Sequence, residues 1–166
     1  IIGPLFTPTT AIAASYRRGA HIRRNSRMSL FNSVVMGWPS AGAGILIDGT
    51  TTEANAANND LEIANTIIAG CPVPLKVNSG STFNINTWFN DAAKSNGILT
   101  SNTDAALTSY NTYTGFNPAP AAGSPVLSGA SFNSSKLAGL QQVTYRGAVG
   151  NNDTWWQGWS RFFNMQ

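Results

Sequence analysis

His21 is the single histidine among 166 residues, so a catalytic triad or an imidazole-based metal cluster would have to be assembled around it. No local sequence partner presents itself. The His-x-Glu and His-Glu-x-x-His spacings, which place a base or a second ligand on the same face, are absent. The Gly-x-Ser-x-Gly turn that exposes a serine nucleophile is absent as well. His21 therefore reads as a residue bordering a strand. Cys71 is the only cysteine, which excludes an intrachain disulfide and a cysteine-based metal cluster. It reads as a buried, inert thiol. The expectation is of no catalytic residue, no metal and no cofactor.

Binding chemistry has two candidate sources. Arg23, Arg24 and Arg27 lie close together and could hold an acidic sugar chain. A lyase acting on such a chain would also need carboxylates to hold Ca²⁺ and a base beside the uronate. The carboxylates are Asp48, Glu53, Asp60, Glu62, Asp91, Asp104 and Asp153, with no calcium-loop spacing. Only stacking of segments could bring Asp48, Asp60 and Glu62 together. The plainer reading makes the arginines a solvated strand face. Near the other end, Trp155, Trp156 and Trp159 offer flat faces for a sugar ring, or else a cap over a core. The cap is the favoured reading, because exposed aromatic clusters on monomers are uncommon. The net charge of +3 is too small and too local for a nucleic-acid groove.

The elements that position these residues announce themselves as a repeat. Residues 29–39 align without a gap on residues 62–72, 33 positions later. Both copies run apolar, Asn, a small hydroxyl residue, two β-branched residues, then Gly-x-Pro, with Asn32 matching Asn65 and Trp38 matching Cys71. Such a period signals stacked units that lack complete cores of their own. Ile22, Met28, Leu30, Asn32, Val34 and Met36 share one parity, so an unbroken strand would point them inward together. The two asparagines then either form an inward ladder or cap turns from outside. Residues 44–49 form a further strand, and residues 50–59 read as a polar loop. Setting that loop aside leaves about 23 residues per turn, which predicts a right-handed parallel β-helix.

After Pro72 the texture changes. Residues 84–97 carry a helix signature, capped by Asn86 or Thr87 and ended by Gly97. A short helical turn is expected within 101–107, an extended loop over 116–125 and a strand over 143–148. The aromatic end, including Phe162 and Phe163, suits a fold-back cover. The predicted division is 1–77 as β-helix rungs and 78–166 as an α-containing, aromatic capping segment of the same domain.

The chain resembles the C-terminal part of a large group of secreted or cell-surface β-helix proteins from Bacteroidetes. The resemblance rests on residues 19–26 running into 32–37, on 44–49, and on 125–127 followed by Tyr145-Arg146-Gly147-Ala148 and the Trp155–Trp159 ending. It implies an exported precursor with earlier β-helix turns upstream of Ile1, at the cell exterior or outer-membrane surface. It implies no activity.

Charged residues make up 10% of the chain, against roughly 25% in ordinary soluble domains, a balance common in secreted β-proteins. No run of apolar residues is long enough to span a membrane. The expected function is a non-catalytic scaffold, adhesive or binding module. Its expected partner is the N-terminal remainder of the protein or another envelope protein. The alternative is a β-helix that binds or cleaves acidic polysaccharide.

Overall fold

Alternation of small or apolar residues with charged ones makes β1 (Arg18–Arg23) a strand with Ala20 and Ile22 inward and His21 and Arg23 outward. A computed structural model describes residues 1–112 and 114–160. Two short strands follow, β2 (Leu30–Phe31) and β3 (Val34–Met36), then β4 (Ala43–Asp48). Helix α1 (Thr50–Ala57) separates these from β5 (Ile63–Ala64), β6 (Ile67–Ala69) and β7 (Leu75–Lys76). Helix α2 (Ile85–Phe89), β8 (Gly97–Leu99), β9 (Leu107–Ser109) and β10 (Asn117–Pro120) complete the order.

The repeat is the register of strand pairing. Leu30 lies beside Ile63, and Val34 beside Ile67, in parallel. Gly97 continues the second row, beside Ile67. A further parallel sheet orders β1, β4 and β7, with Ala20 beside Ile45 and Ile45 beside Leu75. At the edge of β3, Ile2 bridges Met36 in parallel.

The expected right-handed parallel β-helix is not what these strands build. They form four small sheets, of three, three, two and two strands. One of them, β9 with β10, is antiparallel. Among the described residues no sheet closes or continues as a solenoid. The strands of the repeat are interrupted by a bend between β2 and β3 and again between β5 and β6. Asn32 and Asn65 adopt left-handed backbone there, φ 49° and 54°, and Ser95 repeats it at 50° before β8. Asparagine tolerates this conformation better than most residues.

Each bend reverses which side chains point inward. Ile63, Val35 and Ile68 join Ile45, Ile47, Leu61 and Phe89 in the main core, with Leu30 packed against it. Val34, Met36, Ile67 and Ala69 instead form a second core with Ala105, Tyr110 and Val126. A single inward parity from Leu30 to Met36 is thereby corrected. The asparagines also do not pair with each other. Asn32 donates to Ser131 O at 2.9 Å and Asn65 to Gly129 O at 3.1 Å, so both fasten the later chain onto the bends.

Helix α1 replaces the loop expected at 50–59. Its buried side chains are Thr52, Glu53, Asn55 and Ala56, so it has no apolar stripe to betray it. Its inner face is polar because it holds a turn: Asn55 Nδ2 donates to Asn25 O and Ser26 O, both at 3.1 Å. Helix α2 is shorter than the signature over 84–97. Asn84 is its cap, accepting from Thr87 N at 3.0 Å, and Asp91 then caps a separate 3-10 turn over Ala92–Lys94. Gly97 opens β8 and does not end a helix. A 3-10 turn does occupy Asn102–Ala105. Residues 143–148 form no strand, and 117–120 of the expected loop are β10.

Candidate functional site

The β1–β4–β7 sheet presents His21 outward. His21 Nε2 lies 2.6 Å from Asp48 Oδ2, and Asn78 Nδ2 donates to the other carboxylate oxygen. The partner missing from the sequence thus comes from the neighbouring strand, where Arg23 pairs in register with Asp48. The hydrogen bond from His21, then that from Asn78, holds the Asp48 carboxyl below the usual carboxylate range. A base and its orienting carboxylate are two parts of a nucleophilic site. The third part is lacking: among the described residues no Ser, Thr or Cys side chain is hydrogen-bonded to His21.

Arg23, Arg24 and Arg27 are all exposed. Arg24 and Asn25 turn through left-handed backbone, and Thr52 Oγ1 accepts from Asn25 N at 3.1 Å, so α1 fixes the turn that carries them. Arg27 lies 3.4 Å from Asp60. The carboxylates Asp48, Asp60 and Glu62 do not converge. Asp48 is taken by His21 and Asn78, Asp60 by Arg27, and Glu62 by Lys136 at 2.7 Å. Among the described residues no three His, Cys, Asp or Glu side chains gather as a metal site. Nor is any helix among them long and apolar enough to cross a membrane.

Trp155 is 58% exposed and Trp159 90%. Trp155 Nε1 donates to Ala148 O at 3.1 Å. Trp156 is half-buried, edge-on to Phe116 with ring centroids 6.0 Å apart. Phe162 and Phe163 lie outside the described residues. Cys71 is buried, and its Sγ donates to Ala69 O at 3.4 Å. Burial pushes its thiol pKa up, as an inert thiol requires.

The feature that sequence reading missed is an aromatic cleft of about 620 Å³. One wall is the segment before β1, contributing Phe6, Thr10 and Tyr16; the other is the β9–β10 hairpin, contributing Tyr110, Thr112 and Phe116, and Trp38 also lines the cleft. Backbone pairing sets the first wall in place: Gly3 N donates to Met36 O at 2.8 Å and Leu5 N to Gly37 O at 2.9 Å. Gly3 has to be glycine, because a Cβ there would stand 2.4 Å from Gly37 O and 2.7 Å from Trp38. Asn102 anchors the wall again, donating to Leu5 O at 2.6 Å and Phe6 O at 3.2 Å.

A smaller cleft of about 230 Å³ meets the first at Phe6 and Tyr110. Its lining includes Thr7, Thr100, Ser101, Asn102 and Thr103. Among the described residues, neither cleft is lined by Asp, Glu, His, Lys, Arg or Cys. Their walls come from positions about 100 residues apart, which no sequence period connects. Compared with known proteins, the chain matches no family model, no curated protein and no solved structure.

Proposed function

We propose that this chain is a non-catalytic binding module whose ligand site is the aromatic cleft between the N-terminal segment and the β9–β10 hairpin. The supporting observation is a preformed concavity, lined by aromatic rings and hydroxyls, where among the described residues no Asp, Glu, His, Lys, Arg or Cys stands to activate a hydroxyl or hold a metal. Cavities of this volume are the usual size for small ligands and segments of chains. The low charge of the whole chain is in keeping with display at the cell exterior, alongside an envelope partner or the rest of the same protein. The arginine cluster is the weaker candidate, since it runs from the end of β1 along an exposed turn and one of its three cations is paired with Asp60.

The test is a panel of neutral oligosaccharides, acidic oligosaccharides and proline-rich peptides, titrated calorimetrically and then searched for products by mass spectrometry. A panel member should bind, remain intact, and lose affinity to Tyr16→Ala, a change at a ring 55% exposed that should leave the melting temperature unmoved. Turnover of any member, or binding indifferent to Tyr16→Ala, would refute the reading.

A further inference from the structure

From the paired clefts we infer that the ligand is an uncharged sugar chain, with ring faces seated against the aromatic cleft and hydroxyls reaching Tyr110 and the Thr and Ser side chains of the smaller one. The inference rests on the proposed binding role and adds the ligand's chemistry. Three observations carry it. Among the described residues the lining has no charged side chain, so none of them gives an anionic or a cationic ligand a counter-ion there. The cleft is lined by Tyr16, 55% exposed, and an aromatic face bears the negative side of the ring quadrupole, which attracts the C–H face of a pyranose.

The third observation is Tyr110 itself. The residue is 7% exposed, yet among the described residues its hydroxyl has no hydrogen-bond partner and is not sealed from solvent. Tyr110 lines both clefts and so belongs to the wall where they meet. Burial raises its pKa, which keeps the proton on and the group able both to donate and to accept. The smaller cleft beyond adds the hydroxyls of Thr7, Thr100, Ser101 and Thr103, of which Ser101 and Thr103 bond each other at 2.7 Å and Thr7 bonds Thr10 at 2.9 Å. A proline-rich segment would supply carbonyl acceptors and almost no donors. Sugar hydroxyls, which do both, match a hydroxyl-lined wall.

Tyr110→Phe isolates the claim, because it removes one oxygen and keeps the packed ring. Calorimetric titration with cellohexaose, xylohexaose and laminarihexaose, against hexagalacturonate and a decaproline peptide, reads the outcome. At least one neutral hexaose should bind, and Tyr110→Phe should weaken it roughly three- to tenfold, the loss of one neutral hydrogen bond. The melting temperature should stay unchanged. Preference for hexagalacturonate, or a neutral hexaose bound equally by Tyr110→Phe, overturns the inference. Decaproline binding that is lost in Tyr16→Ala overturns it too, while leaving the binding role of the cleft intact. Binding of no panel member overturns both.

Discussion

Truncating Ile68 and Ile98 separately tests whether the parallel register, rather than local hydrophobicity, determines which residues form the core. The two occupy one row, since Val35 pairs with Ile68 and Ile68 with Ile98. Ile68 is fully buried in the main core, and its Cγ2 would stand 2.9 Å from a Cβ on Gly44 of β4. That close approach leaves little room to collapse around a cavity. Ile68→Ala should therefore cost about 3 kcal/mol, within the usual range for a buried isoleucine. For a chain of this size, each kcal/mol moves the melting temperature by about 2–4 °C, so the drop should be about 6–12 °C. Ile98 ends the row at 41% exposure, and Ile98→Ala should cost under about 1 kcal/mol. Urea and thermal unfolding followed by circular dichroism give both values. Equal losses at the two positions, or a larger loss at Ile98, would falsify the register and the core built on it.

Asn32→Ala should destabilise by about 2–3 kcal/mol, because it removes the bonds to Ser131 O and from Ser131 N, both 2.9 Å, and puts alanine at φ 49°. Asn32→Gly should recover about 1 kcal/mol of that in urea melts, since the backbone strain is relieved and only the bonds are lost. Lys136 Nζ reaches Ser29 Oγ at 3.2 Å, Asn59 O at 3.1 Å, Asp60 O at 2.9 Å and Glu62 Oε1 at 2.7 Å. With the side chain partly exposed, Lys136→Ala should cost about 1 kcal/mol, and added salt should shrink but not abolish the difference in denaturation midpoint. The Asp48 carboxyl titrates lower in the folded chain than when unfolded, so its contribution is complete above about pH 4 and disappears as pH falls through the lowered folded value. Acid titrations of stability should thus show a shallower loss below pH 4 in Asp48→Asn than in the parent chain.

The sequence carries the pairing of strands better than the shape they take. A 33-residue period survives as Leu30 beside Ile63 and Val34 beside Ile67, because parallel neighbours want like residues in like places. The bends at Asn32 and Asn65 hide in the same motif. One left-handed residue turns an apparently uniform parity into two cores, and a period-two reading has no means of registering that. Helix α1 escaped because the surface it covers is a polar turn, so its inner residues are Thr52 and Asn55 instead of a leucine stripe. The β-helix expectation extended two matched rows into a coil, whereas the described chain leaves the repeat after β8 for 3-10 turns and an antiparallel hairpin.

At the site level the limits have the same origin. Arg23, Arg24 and Arg27 stand out because like charges are adjacent in sequence, and adjacency put them on an exposed turn. The clefts stand out only in three dimensions, where Phe6, Tyr16 and Trp38 meet Tyr110 and Phe116. Gly3 and Asn102 were the available signals. A glycine pressed against Trp38 and a buried amide tied to Leu5 and Phe6 are what a wall held against a sheet requires, but each is mute without its partner.

Backbone amide shifts across the whole chain during titration with a neutral hexaose test the binding account most directly. The account predicts that perturbations gather at Phe6, Tyr16, Thr100–Thr103 and Tyr110, the residues lining the joined clefts. Perturbations centred instead on Arg23, Arg24 and Arg27 would contradict it, as would a spectrum that the sugar leaves unmoved.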